Sequence, residues 1–175
     1  MVKHKIKIAV SSCLLGEAVR YDGTDKYIEA ITQQLASEYN LISLCPEMAV
    51  GMGVPRPPIH LVDIGNEIQV LGIANPNNNM ADDLYEYGQI IVNKHPDICG
   101  YIFKKNSPSC GTKNVKVLNT RGEYERIGQG MYASAIMNAL PTLPVLDEEE
   151  YLNKELRAAF LLKVAEYSSD LSLRA

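Results

Sequence analysis

The sequence lacks tryptophan and has only two phenylalanines, so ten tyrosines supply most of its aromatic surface. It has no apolar run near the roughly 20 residues that cross a bilayer. Its start has no apolar segment of the length that a secretory signal needs. The formal net charge is −4, so composition gives no sign of the basic surface that binds nucleic acid. We therefore expect a cytoplasmic protein whose partner is a small molecule, with no nucleic acid and no membrane.

Cysteine is also scarce, and none of the four cysteines forms a Cys-x-x-Cys pair. This spacing excludes a zinc ribbon and a thioredoxin motif. Cys13, Cys45 and Cys110 instead follow short apolar runs typical of buried strands, and Gly or Pro comes soon after each. Because the carboxyl ends of parallel strands meet at one edge of a sheet, these thiols should share one crevice. The pattern indicates a site for a metal or a cluster.

The order of the predicted elements indicates the fold class. A chain of 175 residues is long enough for one substantial core, so we predict one domain over residues 1–175. Strands and helices alternate, which predicts an α/β fold: a three-layer sandwich with a mainly parallel, Rossmann-like sheet. The predicted strands are 6–10, 41–44, 98–103 and 143–146, the predicted helices are 27–39, 80–95, 131–140 and a long C-terminal one, and a hairpin joins 59–62 to 68–71.

Several residues predict where elements end. Asn40 is expected to end the first helix in a left-handed conformation, and Asn79 to cap the helix after it. Asp147 and Glu150 have the spacing of a capping box ahead of the long C-terminal helix. Prolines and glycines exclude regular structure over residues 51–58, so we expect an ordered loop beside the site.

Cys99 differs from the other cysteines because it lies inside an apolar run, where we predict a packing role. A single free cysteine is usually a small buried apolar residue, but three at strand ends favour a set of ligands. Three thiolates leave one coordination position of a metal open, as in catalytic sites. The same reasoning applies to a four-iron cluster with three cysteine ligands.

Glu47 and two serines are candidates for catalysis. Glu47 lies two residues after Cys45, so an extended backbone would turn both toward one side. It could be a general acid or base, or a solvated or salt-bridged surface residue. Ser107 and Ser109 could donate to a substrate or position water, or they could serve only the turn around Pro108. Spacing does not rank the two serines.

A second group of residues could bind a substrate. Arg20, Tyr21 and Asp22 offer a charged fork, an aromatic face and a carboxylate, which together could hold a planar heterocycle. Arg20 and Asp22 could equally pair with each other or stabilise their loop. Arg56, in the proline-rich loop, has the same two interpretations.

These segments together resemble a bacterial family, long described as a domain of unknown function, some members of which are thiouracil desulfidases. The resemblance covers most of the chain. It rests on SCLLG (12–16), VRYDG (19–23), CPE (45–47), PR (55–56), SPSCG (107–111) and the regions 128–140 and 150–165.

The resemblance implies a [4Fe-4S] cluster held by Cys13, Cys45 and Cys110. Its open iron would bind the thiocarbonyl sulfur of 2-thiouracil, since soft iron suits soft sulfur better than zinc or magnesium does. Water, assisted by Glu47 and a serine of 107–109, would then replace sulfur by oxygen without net redox change. We expect air to oxidise such a cluster.

The implied substrate-binding residues are Ser12, Arg20, Asp22 and Arg56. The chain departs from the family pattern at 24–26 and 77–79, two segments that we expect near the substrate. The main alternative is a non-catalytic protein that binds zinc or an iron-sulfur cluster through the same thiols. A third interpretation is a thiol-disulfide protein that uses two of the cysteines.

Overall fold

Two four-stranded sheets form the frame of the protein, and the computed structural model describes residues 5–174. The strands in chain order are β1 (Lys7–Ser11), β2 (Asn40–Leu44), β3 (Ile59–Ile64), β4 (Glu67–Gly72), β5 (Ile98–Phe103), β6 (Val115–Leu118), β7 (Tyr124–Gly128) and β8 (Val145–Asp147). The first sheet, here the parallel sheet, has the order β2-β1-β5-β8, and all its pairs are parallel. The second, the mixed sheet, has the order β4-β3-β6-β7 with one parallel pair, β3-β6, at its centre.

Helical segments connect and cover these sheets. They are a 3₁₀ turn (Ser12–Leu15), a π-helical segment (Ala30–Leu35), α1 (Ala36–Glu38), α2 (Pro46–Ala49), α3 (Ala81–Lys94), α4 (Met131–Ala139), α5 (Glu148–Leu152) and α6 (Lys154–Arg174). Among the described residues, none of these helices combines the length and apolar character needed to cross a membrane.

The parallel sheet is the middle layer of three. Successive side chains of a strand point to opposite faces, and Ile8 and Val10 accordingly enter one core while Ala9 enters another. The first core includes residues of α5, α6 and the π-helical segment. The second includes residues of α3, α4 and the mixed sheet. The structure therefore confirms the predicted α/β sandwich with a mainly parallel sheet.

Two glycines allow the layers to approach closely. A Cβ at Gly100 in β5 would lie 2.7 Å from Cγ2 of Val164 in α6. A Cβ at Gly88 in α3 would lie 2.6 Å from Cβ of Ala135 in α4. Real Cβ atoms do not come this close, so a larger residue at either position would push a helix away from its neighbour.

Most predicted elements are confirmed within about two residues, including the 59–72 hairpin and the helix that begins near residue 80. The capping box of Asp147 and Glu150 is also confirmed. The helix that it begins is the short α5, because Asn153 ends α5 and its side chain accepts N–H bonds from Glu155 and Leu156. The prediction of one long C-terminal helix from this box was therefore wrong.

Other local features can be compared with the sequence predictions. Asn40 is the first residue of β2 and does not end a helix in a left-handed conformation. The residue that caps α3 is Met80 and not the predicted Asn79, although the Asn79 side chain does accept the N–H of Ala81 at 3.0 Å. Strands β6 and β7 and helix α2 had no counterpart in the predicted elements. The β6-β7 half of the mixed sheet was therefore not predicted from sequence.

Candidate active site

A cavity of about 250 Å³ opens beyond the carboxyl ends of β1, β2 and β5. Cys13, Cys45 and Cys110 all line it, whereas Cys99 is buried in the core on the α6 side of the parallel sheet. The topology therefore brings together the three cysteines that follow strands and separates the one that lies within a strand. All four cysteines are free.

Tight turns hold the three thiols at this edge. Cys13 lies in the 3₁₀ turn after β1, which Gly16 ends with a φ of 91°, a value that favours glycine. Cys45 is the residue before α2, whose first position is a proline. Cys110 follows β5 in a turn where the Ser107 hydroxyl accepts the N–H of Cys110 at 3.0 Å. Each turn thus leaves a thiol at the cavity beyond the end of a strand.

Burial dominates the electrostatics of the thiols. It raises the pKa of Cys13 to about 11, and the Lys104 ammonium is the strongest opposing influence. Burial also raises the pKa of Cys45, and it raises that of Cys110 well above the usual value. Thiolate ligation must therefore displace protons. Within residues 5–174, no group of three or more His, Cys, Asp or Glu side chains is arranged to hold a metal ion.

The Glu47 carboxylate lines the cavity and is held at both of its oxygens. Oε1 accepts a hydrogen bond from the Ser109 hydroxyl at 2.7 Å. Oε2 accepts from Arg56, whose Nε lies at 2.8 Å and whose Nη2 forms an ion pair with it. Glu47 is therefore salt-bridged and fixed in orientation, with a side chain that is 15% exposed.

Arg56 is buried and ties Glu47 to two loops. Its Nη1 donates to the carbonyl of Gly53 and its Nη2 to the carbonyl of Val19, both at 2.7 Å. Since these bonds and the Glu47 pair engage the guanidinium within the protein, the geometry favours the loop-stabilising interpretation of Arg56. The side chain still borders the cavity.

The two candidate serines have different surroundings. Ser107 lines the cavity, and its hydroxyl oxygen accepts the N–H groups of Ser109 and Cys110. Its own proton has no acceptor among the described residues. Ser109 is fully buried, does not line the cavity and donates to Glu47. The structure thus separates two residues that spacing could not rank.

The other candidate residues also differ in whether they line the cavity. Ser12 and Arg20 line the cavity, and the Arg20 guanidinium lies 5.8 Å from the centre of the Tyr21 ring. Asp22 does not line it and accepts bonds from the Thr24 amide and hydroxyl, which lower the Asp22 pKa. Asp22 therefore stabilises its turn.

The Ser12 hydroxyl already forms a hydrogen bond with a neighbouring side chain. It lies 2.7 Å from the Ser43 hydroxyl, which itself donates to Glu17, so Ser12 must be the donor to Ser43.

The two segments where the chain departs from the family pattern, 24–26 and 77–79, do not border the cavity. This is contrary to the expectation that they lie near a substrate.

Lys104 and Ser11 border the cavity and were missed by sequence reasoning. The Ser11 hydroxyl accepts the Lys104 N–H at 3.0 Å, and its hydrogen bond to Cys110 opposes the effect of burial on that thiol. Lys104 follows a wholly apolar strand directly. A charged residue at such a position is a signal that could have identified it.

Comparison with known proteins agrees with this geometry. Residues 8–149 match the model of a family described as 2-thiouracil desulfurase. The uncharacterized protein YbbK of Bacillus subtilis (strain 168) is 33% identical over 111 residues, which are 60% of this chain and 73% of that protein. The solved structure of the [4Fe-4S]-dependent thiouracil desulfidase TudS has a TM-score of 0.69 and 27% identity, covering 91% of this chain and 99% of that one. Because the family match spans most of the sequence, this chain belongs to the 2-thiouracil desulfurase family.

Proposed function

We propose that this protein removes sulfur from a small thiolated pyrimidine, 2-thiouracil or a related thio-compound. The thiocarbonyl and one water give a carbonyl and hydrogen sulfide, so no electrons are gained or lost. One observation carries the proposal: three thiols and a fixed carboxylate line the same cavity. Family membership and the activity of TudS support it.

The donor set fits a [4Fe-4S] cluster. Ligands of a cluster bind separate iron atoms and surround a volume, whereas ligands of one zinc ion converge to about 2.3 Å from a point. Cys13, Cys45 and Cys110 come from three separate segments around a cavity of about 250 Å³, which suits the first arrangement. These three cysteines would hold the cluster. When bound, it would supply a soft Lewis acid for a thiocarbonyl sulfur.

Glu47 is the proposed general base. An ionised carboxylate has about four acceptor sites, and Ser109 and Arg56 together use three of them. One site therefore remains for a proton of the attacking water. The bonds at both oxygens fix the direction from which that water would be held.

Ser107 is the proposed donor to the substrate, and Ser109 a positioning residue. The free proton of the Ser107 hydroxyl is at the cavity, and two N–H groups donate to its oxygen. Hydrogen bonds accepted by a hydroxyl strengthen it as a donor. Ser109, in contrast, acts only through its bond to Glu47.

Anaerobic reconstitution with iron and sulfide tests the proposal. We expect about four iron and four acid-labile sulfide atoms per chain. The loaded protein should release sulfide from 2-thiouracil. One zinc atom per chain without sulfide release would favour the non-catalytic alternative, and neither metal nor sulfide would favour thiol-disulfide chemistry.

A further inference from the structure

Lys104 carries a mostly buried charge at the cavity. Its side chain is 20% exposed and forms an ion pair with Glu148, whose side chain is 11% exposed. The Lys104 ammonium also donates to the carbonyl of Lys105 at 2.9 Å. The second carboxylate oxygen of Glu148 accepts the N–H of Lys105 at 2.6 Å. Glu148 thus accepts hydrogen bonds from the Lys104 ammonium and from the backbone N–H of Lys105, two residues before Ser107.

The ammonium has one more donor than these contacts use. Lysine has three N–H donors, and Glu148 and the Lys105 carbonyl engage two. The third has no partner among residues 5–174. Lys104 lines the same cavity as Cys13, Cys45 and Cys110. The spare donor therefore belongs to a group that lines the same cavity as the three thiols.

We propose that Lys104 positions and retains the iron-sulfur cluster by donating its third N–H to an anionic sulfur of that cluster. This inference rests on the proposed function, because it needs a cluster in the cavity. Hydrogen bonds and charge next to cluster sulfur stabilise the assembly and raise its reduction potential. The buried Glu148 carboxylate serves to hold the ammonium in place.

Lys105 provides a matched control. It is the next residue, has the same charge and also borders the cavity. Its ammonium, however, pairs with Glu149, whose side chain is 64% exposed. Its contact with Glu148 uses the backbone N–H, so a side-chain substitution leaves that bond intact.

The test compares Lys104→Met/Glu148→Gln, Lys104→Met and Lys105→Met with the wild type, all reconstituted anaerobically. The double variant removes one charge of each sign, so it leaves no unpaired buried carboxylate to prevent folding. We expect iron release to a chelator to be about tenfold faster or more in the double variant, as for lost outer-shell hydrogen bonds. Its midpoint potential, from a titration followed by electron paramagnetic resonance, should become more negative. Lys105→Met should match the wild type.

Other results would overturn the inference. If the double variant releases iron at the wild-type rate, Lys104 serves only to neutralise Glu148. If Lys105→Met accelerates release equally, the effect is one of general charge. Both results would leave the proposed desulfuration standing, since the wild type would still hold a cluster. A wild-type protein that binds no cluster would overturn the inference and the proposed function together.

Discussion

The two sheets of this protein differ in how much of them meets solvent. All six residues of β5, near the centre of the parallel sheet, are buried. In β6 of the mixed sheet, Val115 and Val117 are buried while Lys116 between them is exposed. The outer strand β7 leaves Ile127 67% exposed. The parallel sheet places thiols at a shared edge, and the mixed sheet mainly covers one side of it.

If this division is correct, the substitutions with the largest effects should be those of the thiols beyond the strands of the parallel sheet. Cys110→Ala should abolish the visible thiolate-to-iron absorbance of the reconstituted protein, because the cluster loses one of three anchors. Cys99→Ala should keep that absorbance and cost about 1 kcal/mol in the free energy of unfolding. A bleached Cys99→Ala protein would instead indicate four cysteine ligands and no vacant iron.

A carboxylate at the cavity, just beyond β2, and one in the mixed sheet sharpen the comparison next. Glu47→Gln should leave the cluster absorbance intact while sulfide release from 2-thiouracil falls about 100-fold or more, as expected for a lost general base. The matched control is Glu67→Gln, at an exposed position that begins β4 of the mixed sheet. It should have wild-type turnover. Unchanged turnover in Glu47→Gln would remove this residue from the mechanism.

The two serines should differ in the size and kind of their effects. Ser107→Ala should slow sulfide release about 100-fold, since it removes a donor at the reacting group. Ser109→Ala should have a smaller effect and should alter the pH profile of turnover, because it changes the hydrogen bonding of Glu47. Equal losses with unchanged pH profiles would contradict these separate roles.

Two tyrosine-to-phenylalanine substitutions compare the loss of a buried hydroxyl bond beside the parallel sheet with the loss of a more exposed one in the mixed sheet. Tyr132→Phe deletes one partner of a buried pair in which the hydroxyls of Tyr101 and Tyr132 lie 3.0 Å apart. It should lower the free energy of unfolding by about 1–3 kcal/mol, the cost of an unpaired buried hydroxyl. Tyr124→Phe, which deletes a more exposed bond to His60 in the mixed sheet, should cost less than about 1 kcal/mol. Urea unfolding of both variants measures the difference, and equal costs would contradict it.

The smallest effect concerns pH. Burial lowers the pKa of His60, so the folded state binds its proton less readily than the unfolded chain does. Stability should therefore fall slightly as pH drops below the unfolded value of about 6.5. His60→Gln should reduce this slope in unfolding measurements between about pH 7 and 5. If His60→Gln leaves the slope unchanged, other titrating groups cause the pH dependence of stability.

The same contrast explains what could be predicted from sequence. Strands β1, β2 and β5 contain short apolar runs that are followed by recognisable motifs, so the strands and the shared edge of their cysteines were predictable. Strand β7 leaves Tyr124, Arg126 and Ile127 exposed and has no apolar run. The contacts of Glu47 were also hidden, since Arg56 is nine positions away and Ser109 is 62. No local periodicity links residues at such separations.

The bonds to the Glu47 carboxylate have a consequence for the speed of a reaction in this cavity. A glutamate free in solution samples many rotamers, and choosing one costs about 1–2 kcal/mol of side-chain entropy. Here Arg56 and Ser109 select the orientation while the chain folds. That loss of entropy therefore occurs once, during folding, and does not recur in each catalytic cycle. The proposed base is therefore preorganised before any substrate arrives.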